Sequence, residues 1–147
     1  HTAFFKSQTA AGINLPKKGT VFLSVKDKDK KELIFIAKKL IKLGFELLGT
    51  KGTCDFLNKN NILINKINKI SEGNPHVIDL LESKKIVLVI NTTEGKTSAG
   101  DSYIMRRNTL LTNTPYYTTI KGAEAAINSI EKLKNINLKV RCLQSIH

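Results

Sequence analysis

Gly49-Thr50-Lys51-Gly52-Thr53 sets two hydroxyls, a lysine and two glycines between an apolar run ending at Leu48 and a helix-like segment starting near Cys54. A turn of that composition gathers hydroxyls, an ammonium and unpaired backbone N–H groups at a helix N-terminus, where the macrodipole favours an anion. Its chemistry is that of a phosphate seat. A second polar turn, Asn91-Thr92-Thr93-Glu94-Gly95, follows the apolar run 86–90. If both strands belong to one sheet, two loops of similar chemistry face one ligand.

The elements that must position these loops follow from periodicity. Residues 1–18 show no sustained pattern and carry Gly12 and Pro16, which marks a linker or arm. The folded unit is expected over 19–134, with 135–147 as a C-terminal extension. Residues 20–25 read as a buried strand. Asp27 or Asp29 suits the cap of a helix in which Leu33, Ile36, Ala37, Leu40 and Ile41 recur at helical spacing, ended by Gly44. Strands are expected over 45–48 and 62–70, the second alternating Ile with Asn and Lys as a sheet edge does, with a short helix over 54–59 between them. Pro75 fits the first turn of a helix reaching Ser83, and Ile86-Val87-Leu88-Val89-Ile90 reads as a central parallel strand. A helix over 101–111, a strand near 114–118 and a helix over 122–133 complete the series. Alternation at Leu138, Val140 and Cys142 suggests one further edge strand. Strands alternating with helices imply an α/β domain whose parallel sheet is covered on both faces.

In such sheets ligands bind beyond the carboxyl ends of the strands, where the strand order reverses. Lys30 follows strand one, Thr50 and Thr53 follow strand two, Lys69 closes strand three, and Asn91 to Thr93 follow strand four. Lysines and hydroxyls converging there suit a phosphate monoester, with Asn91 left for a sugar or base. Each residue also has a plainer reading: a solvated lysine at Lys30 or Lys69, and simple turn formation at Asn91-Thr92-Thr93.

A length of 147 residues with 41% hydrophobic content is one domain's worth of chain with a single core. Cys54 and Cys142 stand far apart without metal-ligand spacing, and nothing resembles a signal peptide, so a reduced, cytoplasmic protein is expected. The apolar runs fall short of the ~20 residues that span a bilayer, which argues against a membrane protein. The excess of 24 Lys+Arg over 12 Asp+Glu gives a net charge of +12, which suits a polyanion or an acidic neighbouring domain. The lysines are scattered among Asn and Ile without the stacking aromatics of single-stranded nucleic-acid binders, so a solvated basic surface is the better reading.

The runs Leu23-Ser24-Val25, Gly44-Phe45-Glu46-Leu47, Gly52-Thr53, Asn68-Lys69, Glu72-Gly73-Asn74-Pro75-His76, Ile90-Asn91-Thr92-Thr93, Asp101-Ser102 and Ile104-Met105-Arg106-Arg107, with Tyr116 and Thr118-Thr119, resemble the C-terminal allosteric domain of the carbamoyl-phosphate synthase large chain. The resemblance covers about residues 17–130. It implies a three-layer α/β/α sandwich with a five-stranded parallel sheet, of the methylglyoxal synthase-like group, with the arm before Gly19 similar to the end of a preceding synthetase module.

Regulation is the function this resemblance implies. Domains of the family bind UMP as inhibitor and IMP as activator in one crevice, and ornithine activates from the boundary with the carbamoyl-phosphate-forming module. Residue by residue, the resemblance puts the effector phosphate on Lys30, Thr50, Thr53 and Lys69, the nucleoside on Asn91 and Thr93, and the ornithine carboxylate on Tyr116 and Thr118. The sequence departs from the family at Lys51 and Tyr117, where His and Asp are more usual, and Glu94 adds a negative charge. A glutaminase small chain, ATP and Mg are implied for the whole ligase, which supplies carbamoyl phosphate to pyrimidine and arginine biosynthesis. No cofactor or metal is implied for this domain, which is expected to turn over nothing alone.

The rival reading is methylglyoxal synthase itself, which needs a carboxylate base and a histidine beside an enediolate phosphate. Ser71-Glu72-Gly73-Asn74-Pro75 lacks that enzyme's Gly-Asp pair, and Ser98-Ala99-Gly100-Asp101 lacks its histidine. His76 reads as structural and Asp101 as a helix cap. Arg106 and Arg107 suit an anion, the acidic face of a neighbouring module, or a surface ion pair. Replacing Thr53 or Lys69 by alanine is expected to weaken nucleotide binding by about 1 to 3 kcal/mol with folding barely affected.

Overall fold

A computed structural model of the chain describes residues 16, 18–67, 77–92 and 99–145, with side chains outside the description at 99–102 and 137–145. The elements run β1 (Thr20–Ser24), a 3-10 turn (Asp27–Asp29), α1 (Lys30–Lys42), β2 (Glu46–Gly49), α2 (Lys51–Lys59), β3 (Asn65–Lys66), α3 (Val77–Glu82), β4 (Ile86–Asn91), α4 (Ala99–Leu111), β5 (Tyr116–Tyr117) and α5 (Ile120–Ser145). The five strands form one sheet in the order β3-β2-β1-β4-β5, every pair parallel. The α/β sandwich expected from the sequence is the fold. The order reverses at β1, so the switch point lies between β1 and β4.

Both faces of the central strands are covered, which explains their unbroken apolar runs. Val21, Leu23, Leu88 and Ile90 face one way and pack with Leu33, Ile36 and Leu40 of α1, Leu57 of α2 and Ile127 and Ile130 of α5. Phe22 and Val89, one residue out of step, face the other way and pack with Val77, Ile78 and Leu81 of α3 and Met105 of α4. The period-2 alternation of a strand thus divides one sequence run between two helical layers. Gly44, at φ +97°, ends α1 as expected, with the Phe45 N–H returning to the Leu40 carbonyl.

Several boundaries differ from the sequence reading. Among the described residues β3 is Asn65–Lys66 and β5 is Tyr116–Tyr117, and 68–70 of the expected third strand lie outside the description. Ile62 and Ile64 are buried while Leu63 and Asn65 are exposed, so the expected alternation holds over 62–65, and it slips at Lys66, which is exposed, and Ile67, which is buried. α2 begins at Lys51 rather than Cys54, because Thr50 is extended (φ −73°, ψ 164°) and takes the N-cap. Asp29 stands at the N-cap of α1 but makes no side-chain capping bond, since the 3-10 turn feeds directly into the helix. Asp101 lies inside α4, which already starts at Ala99, so it is not the cap expected of it.

The largest correction concerns the C-terminus. Residues 135–145 continue α5 instead of forming an edge strand. No Gly or Pro follows Leu133 to stop the helix, and a short apolar alternation suits either state. α5 is tied to α1 by Lys39, which donates to Asn128 Oδ1 at 2.6 Å and pairs with Glu131 at 3.2 Å. Lys134 reaches the Leu43 carbonyl and lies 5.3 Å from the centre of the Phe45 ring. Pro75 and the arm 1–15 lie outside the described residues. No helix of the described residues is long and apolar enough to cross a membrane.

Candidate anion-binding site

Three elements converge at the C-terminal end of the sheet: the exit of β1, the β2–α2 turn and the end of β4. Leu23 pairs with Gly49 and Ser24 with Asn91, so all three chains leave the sheet side by side. Gly49 is required there. A Cβ at that position would come within 2.8 Å of the Leu23 carbonyl oxygen, leaving no room for a side chain between β2 and β1.

α2 opens toward this junction. Its first intrahelical bond is from Cys54 N–H to the Thr50 carbonyl at 2.9 Å, so the N–H groups of Lys51, Gly52 and Thr53 have no intrahelical acceptor. Thr50 makes no side-chain capping bond to them. The Lys30 ammonium, from the first turn of α1, lies over this terminus: a Cβ placed on Gly52 would be 3.6 Å from its Nζ. Glycine at that position leaves space between the ammonium and the helix end. Lys30 also pairs with Asp27 at 2.5 Å, but the Asp27 side chain is 94% exposed, and such a pair yields readily to an anion that meets both lysine and helix dipole.

Lys30, Thr50 and Thr53 are therefore brought together as the sequence suggested. Thr50 Oγ1 lies 3.4 Å from Thr53 Oγ1, both residues buried. Thr53 has a further duty that the sequence did not reveal. At 1% exposure, its hydroxyl oxygen accepts from the Val25 N–H at 3.3 Å. Thr53→Ala would strip this buried N–H of its acceptor, so a loss of stability is expected beside any loss of binding, measurable by urea denaturation of the variant. Lys69, Thr93 and His76 lie outside the described residues.

Asn91, 3% exposed at the end of β4, donates through Nδ2 to the Tyr116 hydroxyl at 3.1 Å and lies 3.7 Å from Met105 Sδ. Tyr116 is half-buried in β5, and Thr118 is exposed just beyond it. Thr118 borders a cleft of about 310 Å³ shared with Lys26, Asp29, Glu32, Thr119, Ile120 and Lys121. The residues expected to hold a nucleoside and those expected to hold an amino-acid carboxylate are thus in direct contact through Asn91 and Tyr116. A second cleft of about 350 Å³, lined by Glu32, Phe35, Ile36, Lys39 and Glu124 with Ile127 and Asn128, lies between α1 and α5 on the helical face and not at the strand ends. Arg106 and Arg107 are exposed on α4. Among the described residues no group of three or more His, Cys, Asp or Glu could hold a metal.

Cys54 lies in the first turn of α2 but is not an activated thiol. Its single S–H is shared between the Gly49 and Asn65 carbonyl oxygens, each 3.2 Å from Sγ, joining β2 to β3. Burial pushes its pKa from 9.0 up to about 11, and burial raises that of Tyr117 as well. The unfolded thiol ionises first as pH rises, so the folded state loses relative stability between about 9 and 11. Urea midpoints at pH 8 and pH 10.5 are expected to differ less in Cys54→Ala than in the parent chain. An unchanged difference would show that the buried thiol does not contribute.

Known proteins resemble this chain in sequence and in fold. The family model of the MGS-like domain matches residues 32–118. The carbamoyl phosphate synthase large chain of Rhizobium meliloti is 49% identical over 143 residues, covering 97% of this chain and 12% of that protein. That of Methanobrevibacter smithii is 49% identical over 141 residues, covering 96% and 13%. The carbamoyl phosphate synthase large chain, C-terminal section, of Methanopyrus kandleri is 44% identical, covering 99% of this chain and 27% of that one. The chain therefore spans only about an eighth of the full-length relatives. The crystal structure of methylglyoxal synthase from Elizabethkingia anophelis superposes with a TM-score of 0.59 at 17% identity, covering 77% of this chain and 79% of that one, a likeness of fold.

Proposed function

The chain belongs to the MGS-like domain family, and on that premise we propose that it is the nucleotide-sensing regulatory domain of a carbamoyl-phosphate synthase large chain. UMP and IMP are its effectors, competing for the crevice at the β1/β4 switch point. The observation that carries this reading is the Lys30 ammonium held over the open N-terminus of α2 at Gly52. A cation, a helix dipole and the Thr50 hydroxyl converging on one space suit a phosphate monoester.

Lys69 and Thr93 complete the phosphate and nucleoside contacts in this reading, and Asn91 reads the nucleoside. Tyr116 and Thr118 contribute to an ornithine site shared with the carbamoyl-phosphate-forming module. The catalytic machinery, with its ATP, Mg and glutaminase partner, belongs to the rest of the large chain and to the small chain. An effector acts there by binding two states of the enzyme with different affinity.

A thermal melt tests the reading. A ligand bound only by the folded state raises stability by mass action. UMP or IMP at millimolar concentration is expected to raise the melting temperature, and uridine at the same concentration to do much less. No shift with either nucleotide, or equal shifts with UMP and uridine, would contradict the phosphate seat.

A further inference from the structure

β1 sits between two strands whose polar ends both fold over its exit. Its ladder pairs end at Leu23 with Gly49 and Ser24 with Asn91, after which the chain turns out of the sheet. The next two backbone N–H groups need acceptors, and Val25 is only 4% exposed. Side chains supply them from opposite sides. Thr53 Oγ1, from the first turn of α2, accepts from Val25 at 3.3 Å. Thr92 Oγ1, from the end of β4, accepts from Lys26 at 3.0 Å. Thr92 is 7% exposed, and its own N–H donates to the Ser24 carbonyl at 3.0 Å, so the two strand ends bond reciprocally. Four residues after Lys26 comes Lys30, whose ammonium lies against Gly52.

We infer that Thr92 is a positioning residue for the anion seat: by holding the Lys26 amide it fixes the 26–30 turn and keeps the Lys30 ammonium over the N-terminus of α2. The inference rests on the nucleotide-binding reading of that seat and adds a residue that acts on the ligand only through Lys30. Valine matches threonine in shape but offers no acceptor, so Thr92→Val frees the Lys26 N–H and loosens the turn. Serine retains the acceptor.

The test is titration of UMP and of uridine into the parent chain, Thr92→Val, Thr92→Ser, Lys30→Met and the Thr92→Val, Lys30→Met double variant. Thr92→Val is expected to weaken UMP about tenfold, the scale of one misplaced charge-assisted bond, and to leave uridine unchanged. Thr92→Ser should bind UMP like the parent. In the Lys30→Met background the Thr92→Val effect should vanish, because residues that act as a unit are not additive. Fully additive losses, or equal loss of UMP and uridine, overturn the positioning role. UMP binding that is intact in Thr92→Val removes this inference alone, whereas failure of the parent chain to bind UMP removes the seat and the inference with it. Should Thr92→Val not fold, amide exchange at Lys26 in the parent chain decides: UMP is expected to slow it, and an unchanged rate contradicts the role.

Discussion

Phe22→Ala is expected to lower unfolding stability by about 3–5 kcal/mol, the cost of truncating a fully buried aromatic side chain. Phe22 is 2% exposed and is the β1 residue that reaches the second helical layer, against Val77, Ile78 and Leu81 of α3 and Met105 of α4. The loss should also reach the crevice, because Met105 lies beside Asn91. Urea denaturation measures it directly. A loss below about 1 kcal/mol would mean that this layer repacks freely, which a close-packed interior does not do.

Lys30→Met should cost the second largest amount, in binding and not in folding. Methionine keeps most of the aliphatic stem, so packing along α1 is retained while the charge over Gly52 is removed. The partner it leaves behind, Asp27, is 94% exposed, so the lost ion pair is worth little. Affinity for UMP is expected to fall by about 1.5–3 kcal/mol, roughly ten- to a hundredfold or slightly more, as for a hydrogen bond to a charged group. Calorimetric titration of UMP and uridine separates the outcomes. Uridine affinity should be unchanged, and a parallel loss for both ligands would place the effect in the shape of the crevice and not in phosphate recognition.

Much of this architecture is legible in the residues. The run Ile86 to Ile90 announces a strand covered on both sides, and it lies next to β1 in the sheet. Gly44 announces the end of α1, and Gly52 between two hydroxyls announces an open helix terminus. What the sequence conceals is of two kinds. Short edge strands depend on which residues of a stretch find a neighbour, and among the described residues two do at Asn65–Lys66 and two at Tyr116–Tyr117. The continuation of α5 past Leu133 has no local signature, since a short apolar alternation suits helix and strand alike.

The same distinction applies within the site. Lys30, Thr50 and Thr53 could be placed together by reading strand ends, because in a parallel sheet all the ends lie on one side. The hydroxyl bonds from Thr53 to Val25 and from Thr92 to Lys26 could not, since they depend on three-dimensional register across 28 and 66 residues of chain. Thr92 looks like an ordinary turn residue in sequence. Its burial and its hold on β1 are visible only in the folded protein.

In the proposed reading, phosphate sits between the Lys30 ammonium and the first turn of α2. Titration of UMP into the isotopically labelled chain, followed by amide chemical shifts, tests it most directly. The backbone amides of Gly52 and Thr53 are expected to move far downfield with UMP and to stay nearly still with uridine, since only the nucleotide offers them an anionic acceptor. Amide shifts confined to residues lining the α1/α5 cleft, such as Phe35 and Asn128, with Gly52 and Thr53 unmoved, would place the nucleotide elsewhere and rule out this seat.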